Sequence, residues 1–295
     1  MIVNPAAGAR AWKAADELVR SRLDCAGIWF TGGPGHAAAL AAELAGSGVE
    51  CVIAAGGDGT FHEAANGLLG SGAGGRVALG LLPLGTGGDW ARSLGLPRSI
   101  PAAMERIRAG RLRVVDAARI EYRDTEGRIE RRWWVNVVSA GLGGEVAARV
   151  RRSRIRRPGG VVYLGCAAAV LAGSRPAMLS IAIDGKSVYE GPAVHVAIAN
   201  GRFHGGGIQI APQASLDDGE LDVTIVKPVG LIELTANLRR LYDGRLLEHR
   251  KVTHFRGRRV QIGGPSAAPV EVDGEPLGEV PVEAEIAPGA LRVIA

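Results

Sequence analysis

VIAAGGDGTFHEAANGLL, residues 52–69, is the stretch on which the reading of this chain turns. The apolar run at 51–55 predicts a short buried strand. It ends in Gly56-Gly57-Asp58-Gly59-Thr60, where a helical pattern starts. Three glycines within four residues let the backbone adopt φ > 0 and let a ligand come close to the main chain. Thr60 and Glu63 stand at capping-box spacing, which predicts a helix start there with free N–H groups facing the loop. Strand, glycine turn and helix N-terminus together describe a phosphate site. A carboxylate at Asp58 would repel phosphates unless a cation lay between, so the stretch predicts a Mg-nucleotide site. The same spacing also suits an ordinary tight βα connection, so other segments must decide.

At 295 residues the chain exceeds one comfortable core, and two domains are the default. Hydrophobic residues at 47% against 22% charged exclude a disordered chain, and 44 glycines point to many tight turns. No apolar run reaches the ~18 residues of a membrane span; the longest, at 161–172, is too short. The N-terminus lacks a charged segment followed by an apolar one, so no secretory signal is expected. Cys25, Cys51 and Cys166 lack metal or redox spacing and suit reduced, mostly buried thiols in a cytoplasm.

Outward from the central stretch, strands and helices alternate. Residues 1–3 are the stub of a first strand, either short or cut by a late start codon, and Asn4-Pro5 follow. Asn4 suits a ligand contact or a turn. Trp12, Ala15, Val19 and Leu23 share one helical face. A second strand at 28–30 leads through Thr31-Gly-Gly-Pro-Gly-His36 into an alanine-rich helix ending near Gly46, and 77–83 make a fourth strand. This alternation implies βαβ units and a parallel sheet, whose ligands sit at the carboxyl ends of the strands. Asn4, Thr31 and residues 57–60 lie at such ends. So does a second glycine turn, Leu84-Gly85-Thr86-Gly87-Gly88-Asp89-Trp90, in which Asp89 either joins a nucleotide site or caps its helix. Ser99 caps a further helix with Pro101 in its first turn.

From Leu112 the period changes to alternation. Runs at 112–122 and 129–138 flank Asp124-Thr-Glu-Gly127, the pattern of a hairpin. Further strand-like runs lie at 178–183, 195–199, 221–226, 252–262 and 280–286, which predicts antiparallel sheet beyond a boundary near 115–120. A helical segment at 143–157 carries Arg149, Arg151, Arg152, Arg154, Arg156 and Arg157, with no acid between Glu145 and Asp184. It reads as a solvated face or as a dock for anionic lipid headgroups, each cation contributing about 1 kcal/mol. Nucleic acid is not expected, because no aromatics are interleaved for base stacking. Two acidic clusters follow. Ser215-Leu-Asp217-Asp218-Gly219-Glu220 suits Mg or a solvated turn, and Val270-Glu-Val272-Asp273-Gly274-Glu275 suits carboxylate chemistry or an Asp-Gly hairpin tip.

In this order, Asn4-Pro5 with Gly8, Thr31 with Gly35-His36-Ala37, GGDGT at 56–60 with Glu63, Pro83-Leu-Gly-Thr86 with Asp89, LDDGELDV at 216–223 and VDGE at 272–275 resemble the bacterial diacylglycerol kinase-like lipid kinases. These are related to sphingosine kinases and more distantly to NAD kinases. Six motifs in register over nearly the whole chain are specific where each alone is weak. The resemblance implies an α/β nucleotide domain of NAD-kinase type at 1–117, to which 288–295 return. It implies a β-sandwich at 118–287, with the active site in a cleft between the two. It also implies that Asn4, Pro5, Thr31, Gly56, Gly57, Asp58, Gly59, Thr60, Glu63, Gly85, Thr86 and Asp89 hold ATP, with Asp58 and Asp89 acting through Mg2+ or its waters. A structural Mg2+ would take the Asp218 side chain and the carbonyls of Ser215 and Glu220. The general base would be Asp273 or Glu275. One departure is Gly88, where the family usually has Asn.

The implied reaction is transfer of the ATP γ-phosphoryl group to a lipid hydroxyl, with alignment and charge neutralisation as the main tasks. A peripheral place at the inner membrane face fits the arginines. The rivals are an NAD kinase, against which the VDGE and GHA stretches argue, and a non-catalytic nucleotide- or lipid-binding homologue, favoured only by Gly88. The lipid, the choice between Asp273 and Glu275, and a homodimer are left open.

Overall fold

The first 110 residues build a parallel sheet because each apolar run is too short for a helix and each leads through a short turn into a helical stretch. The computed structural model describes residues 1–85, 88–124, 126–152, 165, 169, 170, 173 and 175–295. The chain forms two compact units, Met1–Ala117 with Pro288–Ala295, and Ala118–Ala287.

In the first unit the order along the chain is β1 (Ile2–Val3), α1 (Pro5–Arg22), β2 (Trp29–Phe30), α2 (His36–Gly46), β3 (Cys51–Gly56), α3 (Asp58–Gly70), β4 (Ala78–Pro83), α4 (Asp89–Ser93) and α5 (Ile100–Ala109). The strands lie side by side as β2-β1-β3-β4, all parallel, with Val3 opposite Ala55 and Ala54 opposite Leu81. Beyond β4 the end of the last strand closes the sheet, Val293 pairing in parallel with Leu79. Trp12, Ala15, Val19 and Leu23 of the first helical segment are buried against Met1, Val3, Leu82 and Met104, as their spacing predicts.

Three local expectations need correction. Helix α3 starts at Asp58, with Gly57 as its uncapped N-cap. Thr60 and Glu63 therefore make no capping box: Glu63 Oε2 accepts the Ala37 amide at 3.0 Å and so caps α2 instead. Gly56, Gly57 and Gly59 do not use the left-handed region. What Gly56 supplies is space, because a Cβ there would stand 2.3 Å from Thr60 Oγ1. Ser99 does precede α5, but its side chain makes no cap bond.

The second unit is antiparallel. Its strands are β5 (Leu112–Arg123), β6 (Ile129–Trp134), β7 (Val137–Gly141), β8 (Ala177–Ile183), β9 (Lys186–Ala193), β10 (His195–Ala199), β11 (Phe203–His204), β12 (Ile208–Gln209), β13 (Leu221–Val226), β14 (Val252–Gly257), β15 (Arg259–Gly263), β16 (Pro269–Val272), β17 (Glu275–Glu279) and β18 (Val282–Ile294), with helix α6 (Leu142–Arg152) after β7. One sheet runs β14-β13-β10-β7-β16-β17; the other joins β6, β5, β18, β15, β8 and β9. Alternate residues of both meet in one core, among them Ile120, Trp134, Val138, Ile181, Val196, Ile198, Val223 and Val260. Each such side chain, once buried, contributes ~1.5–3 kcal/mol.

Two runs that read as continuous strands are each split between the sheets. Residues 129–138 change sheet at Val135-Asn136, between β6 and β7, and 252–262 change at Arg258, between β14 and β15. Trp134 and Val138 keep one phase through the first corner and conceal that switch, whereas core-facing Phe255 and Val260 stand on opposite phases across the second.

Candidate functional site

The carboxyl ends of β3 and β4 are neighbours, since Gly56 pairs with Pro83. The turns that follow are tied together. Gly56 O accepts the amides of Leu84 at 2.9 Å and Gly85 at 3.2 Å. A Cβ on Gly85 would stand 2.8 Å from Gly57 Cα, so only glycine permits this approach. Asp58 completes the link: its carboxylate accepts the amides of Gly88 at 2.7 Å, Asp89 at 3.0 Å and Trp90 at 3.1 Å. The acid of the first turn thus caps the helix that follows the second. Burial pushes the Asp58 carboxyl above its usual range, the Asp89 charge adds to this, and the three amides oppose it. One turn later Phe61 stacks on Trp90 with ring centroids 4.2 Å apart. Asp89 opens α4 and pairs with Arg92 at 2.5 Å.

Asn4 and Thr31 follow β1 and β2 at the same edge. Asn4 caps α1 through the Ala6 amide at 3.0 Å and donates from Nδ2 to Thr60 Oγ1 at 3.0 Å. Pro5 is the first residue of α1. The Thr31 amide bonds Val3 O at 2.9 Å. A Cβ on Gly59 would meet nothing within 4 Å, which leaves the start of α3 accessible to a ligand. The fold thus joins Asn4 to Thr60 and ties Gly56 and Asp58 to the turn that carries Gly85 and Asp89, while Thr86 and Gly87 lie outside the described residues.

The acidic turn at 215–220 is already supplied with positive charge. Asp218 is ion-paired with Arg256, whose guanidinium also reaches Glu220 at 3.0 Å and Asp222 at 3.7 Å. The other Asp218 oxygen accepts the Glu220 amide at 3.1 Å, and Ser215 Oγ donates to Asp217 at 2.9 Å. Among the described residues no group of three or more His, Cys, Asp or Glu could hold a metal ion. A structural Mg2+ held by the Asp218 side chain and the carbonyls of Ser215 and Glu220 would have to compete with Arg256 for that carboxylate.

Asp273 and Glu275 flank the β16–β17 turn. Asp273 has φ 49° and Gly274 φ 87°, the backbone of a tight Asp-Gly hairpin. The Asp273 carboxylate accepts the amides of Val135 at 3.2 Å, Asn136 at 3.1 Å and Val137 at 2.8 Å, bracing the corner between β6 and β7. Asp184, with φ 50° in the β8–β9 turn, does the same for the corner between β14 and β15, accepting the amides of Arg258 and Arg259 at 3.0 and 2.9 Å. The hairpin-tip alternative thus holds for the backbone, and Asp273 has a structural duty beside any chemical one. Glu275 pairs with Arg132 at 2.6 Å.

On the outer side of the six-stranded sheet lies an apolar cavity, lined by Leu142, Val146, Ile208, Leu234, Leu241 and Val252 among others, with His195 and His204 in its wall. These two histidines, and Glu271 beside them, are residues to which the sequence assigned no role; each sits in a stretch that reads simply as strand. Val146 belongs to α6, the helix that leads into the arginine-rich segment. Arg149 on that helix is exposed. The side chains of Arg151 and Arg152, together with Arg154, Arg156, Arg157 and Cys166, lie outside what is described. No helix among the described residues is long and apolar enough to cross a membrane.

Comparison with known proteins agrees with this geometry. Residues 1–120 match the diacylglycerol kinase catalytic domain, and residues 136–295 match the YegS C-terminal NAD kinase beta sandwich-like domain. A protein of Stenotrophomonas maltophilia (strain K279a) named "Probable lipid kinase YegS-like" is 30% identical over 265 residues, 88% of this chain and 83% of that one. A crystal structure described as a diacylglycerol kinase from Bacillus anthracis str. Sterne superposes with TM-score 0.74 at 25% identity, over 99% of this chain and 94% of that one. Yeast NADH kinase complexed with NADH shares the fold, with TM-score 0.52 at 14% identity, over 100% of this chain and 73% of that one.

Proposed function

The chain belongs to the family defined by the diacylglycerol kinase catalytic domain and the YegS C-terminal domain, and from that premise we propose that it is an ATP-dependent lipid kinase. It moves the γ-phosphoryl group of ATP to a hydroxyl of diacylglycerol or a related lipid. The observation that carries this reading is the cavity of the second unit, whose largely apolar walls suit an acyl chain, with Glu233, Arg240 and His249 among the polar groups that line it.

In the first unit the paired glycine turns and the start of α3 receive the phosphates, with backbone amides and the helix N-terminus meeting the negative charge. Asp58 and Asp89 are the carboxylates that would face a Mg2+ held by the substrate phosphates, and such an ion would neutralise phosphate charge. In the second unit a carboxylate at Asp273 or Glu275 accepts the hydroxyl proton, a contribution of typically ~10²–10⁴-fold. The arginine-rich segment after α6 supports docking on an anionic bilayer, which puts the enzyme at the inner membrane face while its acceptor stays in the lipid.

The test is purified protein with labelled ATP and a total lipid extract, with NAD offered in parallel and products identified by mass. A labelled lipid is expected. Labelled NADP alone, or no transfer to either acceptor, would overturn the reading.

A further inference from the structure

Strand register places a buried polar cluster on the outer face of the six-stranded sheet. In β7, β10 and β16 alternate residues enter the sandwich core: Val138 and Ala140, Val196 and Ile198, Val270 and Val272. The residues between them face the other way. Ser139 lies directly opposite Glu271 on one side and Ala197 on the other, and His195 lies opposite Gly141. His204, arriving on β11, meets Glu271 from above.

Glu271 is 1% exposed, and each of its oxygens is engaged. Oε1 accepts Ser139 Oγ at 2.7 Å and stands 3.0 Å from His204 Nε2; Oε2 accepts the Gly274 amide at 2.7 Å. Burial works against the charged carboxylate, but the His204 charge and these hydrogen bonds outweigh it, and Glu271 is held below its usual range. The first turn of α6 seals the cluster: a Cβ on Gly143 would stand 2.0 Å from Ser139 Oγ, and the Gly143 amide bonds His195 Nδ1 at 3.3 Å. Gly274 is the second residue of the turn that begins with Asp273. Two carboxylates therefore fix that turn from opposite ends, Asp273 by reaching back to β7 and Glu271 by holding the Gly274 amide.

Burying a charged carboxylate is costly, and an apolar residue of similar volume at 271 would often be no worse for stability. A fold that keeps the acid needs the turn, and not the core, to be exact. We propose that Glu271 is a positioning residue: with Ser139 and His204 it sets the angle at which the Asp273-Gly274-Glu275 turn presents its carboxylates, and His204 links that setting to the apolar cavity whose wall it forms. The inference deepens the lipid-kinase reading and rests on it.

Glu271→Gln keeps the shape but can serve fewer of the three donors. Its expected signature is a fall in kcat of about a hundredfold, as for a small misplacement of a reacting group, with KM for ATP unchanged. Amide hydrogen exchange in a peptide spanning 269–279 should speed up while the melting transition of the first unit stays in place. Glu271→Asp, which restores the charge on a shorter arm, should recover part of kcat. Wild-type kcat per folded molecule in Glu271→Gln, or a loss of activity that only tracks the folded fraction, would overturn the proposal. If the wild type phosphorylates no lipid, the functional reading fails instead, and unchanged exchange at 269–279 in Glu271→Gln would then still refute the positioning role.

Discussion

Asp273 and Asp184 are the same device used twice. Each opens an Asp-Gly hairpin at φ near 50° and turns its carboxylate back onto the amides of a neighbouring strand that is changing sheets. The Asp273 amide returns a bond to Val137 O at 2.9 Å, and the Asp184 amide returns one to Arg259 O at 2.9 Å.

That pairing gives the catalytic assignment an internal control. Asp273→Ala and Asp184→Ala should each lose about 2 kcal/mol of stability, the worth of hydrogen bonds to a charged acceptor. Only the change at 273 should also remove turnover from the protein that remains folded. Equal activity per folded molecule in the two variants would show that Asp273 is a brace and nothing more.

Asp58 is tied to the second glycine turn by three amides, so Asp58→Asn puts an NH2 group where an acceptor is needed. The expected cost is about 1–3 kcal/mol, together with loss of ATP binding as the two turns part. Urea denaturation and nucleotide titration measure both. Unchanged stability with normal ATP affinity would mean that Asp58 does not join the turns in solution.

Arg256 already neutralises the acidic turn, so chelation of divalent ions should leave the melting temperature of the free wild-type protein where it was. Arg256→Ala strips the cation from Asp218, Glu220 and Asp222. Its melting temperature should fall in chelator and recover by about 2–4 °C in millimolar Mg2+. A wild-type protein that itself melts lower in chelator would argue for an ion at this turn.

His195 is buried, and burial first, then the His204 charge, press its pKa down to about 4, with Glu271 opposing. The folded protein therefore holds His195 neutral where an unfolded chain, with an ordinary histidine near ~6.5, takes up a proton. Stability from this source is complete above that ordinary value and is lost as the pH falls toward the folded one, roughly 3 kcal/mol in all. Urea midpoints measured from neutral to acid pH should drop more steeply for the wild type than for His195→Asn. Parallel curves would count against a neutral buried imidazole.

Replacing Arg149, Arg151 and Arg152 with alanine should weaken binding to phosphatidylglycerol vesicles by about a hundredfold at low salt, at about 1 kcal/mol per cation. Binding to neutral phosphatidylcholine vesicles should stay weak in both proteins. A triple variant that sediments with anionic vesicles as well as the wild type would place the membrane contact elsewhere.

Much of the architecture could be read from residue order. Short apolar runs followed by turns and helical stretches predict the parallel strands β1, β3 and β4, and Trp12, Ala15, Val19 and Leu23 give away the buried face of the first helical segment. What escaped were features set by contacts distant in sequence. Glu63 has the spacing of a local cap but serves α2, because α3 starts at Asp58 and carries Glu63 past its first turn to the Ala37 amide. The sheet switch at Val135-Asn136 was invisible because alternation does not record which partner a strand has, and the one at Arg258 shows only as a break in phase between Phe255 and Val260. Glu271 was quoted in an acidic cluster and given no role, since only register shows that it faces Ser139 and not the solvent.

Residues 288–295 complete the first unit, with Arg292 donating to Gly74 O at 2.8 Å and Ala295 to Arg111 O at 3.0 Å. During synthesis the strands β1 to β4 leave the ribosome first, yet β4 must wait with a bare edge until more than two hundred further residues, from Pro83 past Pro288, have been translated. The second unit closes with residues 282–286 of β18, just ahead of the segment β4 needs, so the part made first is finished last. A chain stopped at residue 287 should keep its sandwich and aggregate through β4, and a peptide of the missing segment added in trans should suppress that aggregation.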